Sequence, residues 1–194
     1  ERMGRLLGQL GTSRFEQLEI VYGGSIAEKD TRLITIAAVK GLLSAIGAHA
    51  NLVNSLTLLK ERGIKLMESK TEAANGYSNL ITMRLKTTSE TFAVHGTVYR
   101  PDDRRIVQIN DYRVHVPTEG NLVLVLHEDR PNIIGPVCVV LGEANINIGS
   151  MHVGRISPGQ PQLMVLNVDT PVSDETLKRI LAVSGVLSAR TISM

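Results

Sequence analysis

The chain has 194 residues, 43% of them hydrophobic and 21% charged, with a formal net charge of +2. That is enough apolar material for one or two domains with real cores, and it excludes both a disordered chain and the clustered basic face of a nucleic-acid binder. The single cysteine, Cys138, excludes an intramolecular disulfide, and its apolar helical surroundings mark it as a core residue in a reducing compartment. The longest apolar run, Leu33 to Val53, is broken by Lys40, Gly41, Gly47, His49 and Asn51, so neither a bilayer span nor a signal peptide is expected. The expected location is the cytoplasm.

The first residues, "ERMGRLLGQLG", place Met3, Leu6, Leu7 and Leu10 on one helical stripe. We read residues 1–13 as the end of a helix arriving from an upstream domain; a helix packed on its own domain is the alternative. A first domain is expected over residues 14–117. "FEQLEIVY" alternates at period two and predicts a strand closed by Gly23 and Gly24. A helix is expected from Thr31 to Ile46, capped by Asp30, with Leu33, Ile36, Ala37, Leu43 and Ile46 as its inner face. Asn54 or Ser55 should cap a shorter helix ending at Gly63. "IKLMES", "SNLITMRLKT", "TFAVHGTVY", "RRIVQIN" and "YRVHV" predict five more strands, giving an α+β sheet with helices on one side. Pro117 to Gly120 read as a linker.

From residue 120 to 194 the expected order is βαββαβ, the ferredoxin-like arrangement, with a mixed-sheet domain before it. Ser173, followed by Asp174, Glu175 and Thr176, is a helix N-terminus signature. "SPGQP" predicts a hairpin turn. Between the first strand and the first helix of this block lies a polar knot, "HEDRPN". Pro131 suits the first turn of a helix, whose free N–H groups from Asn132 to Gly135 favour a carboxylate or phosphate. Gly135 leaves room for close approach. His127 and Asp129 are two positions apart and can face one pocket, and Asn147 opens the next strand of the same unit. An imidazole, a carboxylate and an amide at an anion-favouring helix start suit a zwitterionic amino acid. Its ammonium would go to Asp129 and Asn147, its carboxylate to the backbone, and His127 would donate to a side-chain hydroxyl or carboxylate. Each residue alone has a plain structural reading: a helix cap, a turn residue, a half-buried strand end.

"HEDRPNIIGPVCVVLGEANINIGSMHVGR" resembles the ACT domain, and most closely that of the D-3-phosphoglycerate dehydrogenase family. "VYGGSIAEKDTRLITIAAVKGLLSAIGAHANLVNSLTLLKERGIKL" and "HGTVYRPDDRRIVQINDYRVHV" resemble the intervening domain of its long form, an allosteric-substrate-binding type of domain. The resemblance implies the regulatory part of an NAD-dependent oxidoreductase of L-serine biosynthesis. It also implies a homo-oligomer joined through an ACT sheet edge, with L-serine at the interface as feedback inhibitor, bridging two chains through His127 and Asp129 of one and Asn147 of the other. The family's serine ligands are a His or Tyr, an Asn or Asp two residues on, and an Asn after the first helix; His127, Asp129 and Asn147 hold those positions. The intervening domain of some relatives binds an anion, which carries over to Arg105, with Arg104 and Arg113 as neighbours. Tyr112 and Pro117 stand where relatives with a formed anion site carry arginine, so a solvated basic edge strand is the competing reading.

No catalytic residue is expected in this chain, and no metal or cofactor of its own: NAD would belong to a separate catalytic part. Gly4, Gly8 and Gly11 have the wrong spacing for a dinucleotide fingerprint, and His49, His95, His115 and His152 show no ligand spacing. Two other readings remain. One is an assembly module insensitive to serine. The other is the amino-acid-binding region of an L-serine dehydratase-like protein, against which a lone Cys138 weighs because an iron–sulfur cluster needs several thiolates. Gly23, Gly24 and the Pro117–Gly120 segment are candidate hinges.

Overall fold

The computed structural model describes residues 1–194, which form two compact units, Glu1–Asn110 and Asp111–Met194. No helix is long and apolar enough to cross a membrane.

The first unit contains α1 (Arg2–Leu10), β1 (Phe15–Gly24), a 3₁₀ turn (Ser25–Glu28), α2 (Arg32–Ala45), α3 (Ser55–Glu61), β2 (Lys65–Thr71), β3 (Asn79–Thr87), β4 (Thr91–Arg100) and β5 (Asp103–Ile109). Its strands lie in the order β2-β1-β3-β4-β5; β1 and β2 are parallel and the other pairs antiparallel. Period-two alternation decides the faces. Leu18, Ile20 and Tyr22 are fully buried, opposite Leu85, Met83 and Ile81 in register. The intervening Glu19 is paired instead with Arg84, 2.9 Å away on the neighbouring strand.

The apolar stripe of α1 is buried as expected, with Leu6, Leu7 and Leu10 inside. It packs within its own unit, on α2, along a seam made of glycines. A Cβ at Gly4 would fall 2.0 Å from Ala38 O, one at Gly8 2.7 Å from Leu42 O, and one at Gly41 2.0 Å from Glu1 O. The backbones meet because nothing projects between them.

That seam corrects the expected face of α2. Its buried residues are Thr35, Ala38, Val39, Gly41, Leu42 and Leu43, while Leu33 is 74% exposed and Ile46 is also exposed. Leu43 is inside as expected, with Val39 and Leu42; where α2 meets the α1 backbone, close contact selects Ala38 and Gly41, and Leu33 and Ile46 are left outside. The sheet side of α2 is partly polar: Tyr22 Oη lies 2.7 Å from Thr35 Oγ1, which also bonds Glu68. Asp30 does serve the helix start, accepting from Arg32 N at 3.1 Å. Asn54 precedes α3, yet its side chain accepts from Asn51 N at 2.7 Å and caps nothing; Ser55 donates back to Ile36 O. Gly23 and Gly24 are not a hinge. They pair with Leu80 and Asn79, and added Cβ atoms would meet Ala73 O at 2.4 Å and Ser78 O at 2.5 Å.

The second unit contains β6 (Tyr112–Pro117), β7 (Asn121–His127), α4 (Ile134–Glu143), β8 (Ile148–Gly154), β9 (Gln162–Val168), α5 (Asp174–Leu181) and β10 (Val186–Ser193). From β7 onward it is the ferredoxin-like βαββαβ fold, with strand order β10-β7-β9-β8, all antiparallel. Val123, Val125, Met164 and Leu166 pack under Val137 and Leu141 of α4 and Ile180 of α5, and Cys138 packs against this core. Ser173 Oγ accepts from Thr176 N at 3.2 Å, the expected cap of α5. β8 and β10 are the two edges of the four-stranded sheet.

Candidate functional site

β7 ends at His127, in the same strand parity as the core residues Val123 and Val125. The ring is 1% exposed. Its Nδ1 lies 2.7 Å from Glu128 O, and its Nε2 is buried with no partner. A carbonyl only accepts, so Nδ1 donates to it, and Nε2 is left as a buried polar atom for which the chain supplies no partner. Nε2 is therefore the atom of His127 that a ligand hydroxyl could bond.

The loop after His127 is strapped to the turn before β10. Glu128 N donates to Gly185 O at 2.9 Å, and Arg130 bonds both Glu128 Oε2 at 2.6 Å and Ser184 Oγ at 2.9 Å. Gly185, at φ +92°, lets the loop in: a Cβ there would strike Ile133 at 2.5 Å.

Asp129 is more engaged than its sequence position suggested. It accepts from Gly159 N at 2.8 Å, from Arg155 Nη2 and from Gln162 Nε2, so it pins the β8–β9 turn. The Gly159 N–H, and then the Arg155 guanidinium, hold its carboxyl below the usual carboxylate range against the opposing effect of burial. Sequence reading missed these three donors. The signal was present in "GRISPGQPQ": a turn glycine, here at φ +79°, frees an N–H to point inward, with Arg155 and Gln162 on the flanking strand ends.

α4 begins at Ile134, three residues beyond Pro131, because Asn132 adopts φ +63° and interrupts the helical path. Pro131 therefore does not occupy the first helical turn. Pro136 does, at a position whose N–H would have no helical partner anyway. The first helical bond runs from Val137 N to Ile133 O, leaving the N–H groups of Ile134 and Gly135 at the helix start. Nothing lies within 4 Å of a Cβ built on Gly135, so that end of the helix is open.

Asn147 is elsewhere in the unit. His127 is in register with Gln162 at the start of β9, whereas Ile148 is in register with Val168 at its end. Six strand steps of about 3.3 Å therefore put Asn147 ~20 Å from His127 within one chain. Its side chain donates to Asp169 Oδ2 at 2.8 Å. The expectation that all three residues meet at one end of a single unit is corrected, since the antiparallel course of β9 separates the third from the first two; the expectation that Asn147 comes from a second copy is not touched by this distance.

The basic candidates lie on β5 and β6. Arg104 and Arg105 are consecutive on β5 and face opposite sides, and Arg105 is ion-paired with Asp103. Arg113 belongs to β6, in the second unit. The glycines of the N-terminal segment do not fit a dinucleotide either: Gly4 and Gly8 lie inside α1 with the α2 backbone against them.

Residues 1–110 match the D-3-phosphoglycerate dehydrogenase intervening domain, and residues 121–185 match the ACT domain. The chain belongs to the D-3-phosphoglycerate dehydrogenase intervening-domain family. Among curated proteins it is 33% identical to a D-3-phosphoglycerate dehydrogenase of Synechocystis, 34% to one of Methanocaldococcus jannaschii and 32% to one of Bacillus subtilis. Each match covers 100% of this chain but only 35%, 37% and 37% of the relative. The chain thus corresponds to the intervening-plus-ACT part of these dehydrogenases, about a third of their length.

Proposed function

We propose that this intervening-plus-ACT chain senses L-serine for a D-3-phosphoglycerate dehydrogenase, binding it between two copies and passing the signal to a catalytic part that holds NAD. The observation that carries the reading is the unpaired Nε2 of a fully buried His127 beside Asp129 and the open start of α4. A buried polar atom without a partner costs about 1–3 kcal/mol, and a bound donor removes that cost.

The separation of Asn147 fits the same reading. β8 is a sheet edge, and Gly149, Ser150 and Met151 on it are exposed. Two β8 strands paired antiparallel about Met151 set Ile148 of one copy opposite Gly154 of the other. Asn147 of the partner copy then falls beside Arg155, which already touches Asp129. Residues at opposite ends of one chain meet across a two-fold axis. L-serine would place its ammonium near Asp129, its carboxylate on the N–H groups at the start of α4, and its hydroxyl on Nε2 of His127, with the partner's amide closing the site. Inhibition follows only if serine binds one arrangement of the paired units better than another.

Calorimetric titration of the chain with L-serine, against D-serine and glycine, tests the reading. Saturable binding of L-serine that Asn147→Ala removes is the expected result. No heat from L-serine, with a dimer still present by sedimentation, would overturn it in favour of an assembly module.

A further inference from the structure

Away from the ACT site, a cavity of about 310 Å³ opens at the turn between α1 and β1. Phe15, Ile46 and Ile64 form its apolar wall, and Arg14 and Arg62 stand at its rim. The two arginines come from different elements, the α1–β1 turn and the end of α3, and converge on one place. A Cβ built on Gly63, the residue after Arg62, would lie 4.0 Å from Arg14 Nη2. No carboxylate lines the cavity, and Glu16, two residues from Arg14, is paired with Lys86 at 3.3 Å.

Two arginines that line one cavity with an apolar wall and no acid among its lining residues suit a planar or tetrahedral oxyanion. The volume lies at the small end of the range for ligand sites, and an apolar lining with a few placed polar groups is their usual make-up. We propose that this cavity binds a small organic oxyanion, a carboxylate or phosphate monoester, that carries an apolar group about the size of one ring. Arg14 and Arg62 take the charged end; Phe15, Ile46 and Ile64 take the apolar end. Such a ligand ties the exit of α1 to the end of α3 and the start of β2, and so stabilises the unit by mass action. The site is independent of the serine reading and stands or falls separately.

The test is an NMR titration of the chain with phenyl phosphate, benzoate, inorganic phosphate and benzyl alcohol, following the amides of Gly11, Thr12, Ser13 and Ile64. Saturable shifts there with phenyl phosphate or benzoate are expected, weaker ones with inorganic phosphate, and none with benzyl alcohol. Which aromatic anion binds tighter separates phosphate from carboxylate preference. The exposed pair Arg14→Gln and Arg62→Gln should weaken binding at least about tenfold without moving the melting temperature of the free chain, and Arg104→Gln should change nothing. The proposal is overturned by no saturation at millimolar ligand, by equal affinity in the double variant, or by benzyl alcohol binding as well as the anions.

Discussion

The α1–α2 seam and the end of β7 are two opposite uses of the same chain. At the seam every gap is closed: three glycines let backbone touch backbone, and no atom is left without a neighbour where a methyl would go. At the end of β7 a buried imidazole nitrogen has no partner, and Gly135 in the first turn of α4 has open space where a methyl would go. The first region spends its composition on packing. The second carries polar capacity that the fold does not consume and that the proposed ligand would use.

One substitution made in both places separates them most sharply. Alanine is the better helix former by about 1 kcal/mol. At Gly4 the new methyl meets Ala38 O, so Gly4→Ala is expected to destabilise the chain by about 2–3 kcal/mol as the helices are forced apart. At Gly135 nothing is in the way, and Gly135→Ala should be neutral or stabilise by up to about 1 kcal/mol. Urea unfolding midpoints of the two variants give the comparison directly; equal effects would remove the distinction. Ser173→Ala, which deletes one cap bond and alters no packing, gives an intermediate scale of about 1 kcal/mol of loss.

The sequence carried the periodic features well and the convergent ones poorly. Strand alternation in β1 and the stripe of α1 could be read because burial there follows side-chain hydrophobicity. The face of α2 was misread because its contact is set by Gly4, Gly8 and Gly41, whose contribution is an absence of side chain. At the site, His127 and Asp129 were visible as a polar knot between apolar runs. The donors that hold Asp129 were not, since Arg155, Gly159 and Gln162 reach it only once β8 and β9 form their hairpin. Asn147 was expected from a second copy only through the family resemblance: its distance from His127 within one chain follows from strand direction, which composition does not encode.

Acid offers a gentler way to compare the two units. Burial, with the Arg84 charge behind it, lowers the pKa of His95 in the first unit. Burial, with His115 facing it at 5.5 Å between ring centroids, lowers that of His152 in the second. In the unfolded chain each ring takes its proton near pH ~6.5, and in the folded chain only at lower pH. Between those points the unfolded state binds more protons, so stability is full above pH ~6.5 and falls as the solution is acidified through that window. Denaturation midpoints measured from pH 7.5 down to 5 should show the decline, and His95→Gln and His152→Gln should each flatten part of it. A profile unchanged by either variant would mean that neither ring is held neutral by the fold.

Little stability is expected to be lost at His127, and that bears on the functional argument. His127→Phe removes the Nδ1–Glu128 O bond, worth about 0.5–1.5 kcal/mol net, and at the same time removes a buried Nε2 that has no partner. The two terms oppose each other, and an aromatic ring still fills the end of β7. Stability should therefore fall by no more than about 0.5 kcal/mol and can rise, while L-serine binding is lost with the Nε2 that would bond its hydroxyl. A stabilising polar residue would behave the other way, losing stability and binding together. If His127→Phe unfolds the chain, the imidazole is there for the fold, and its unpaired nitrogen no longer supports a ligand.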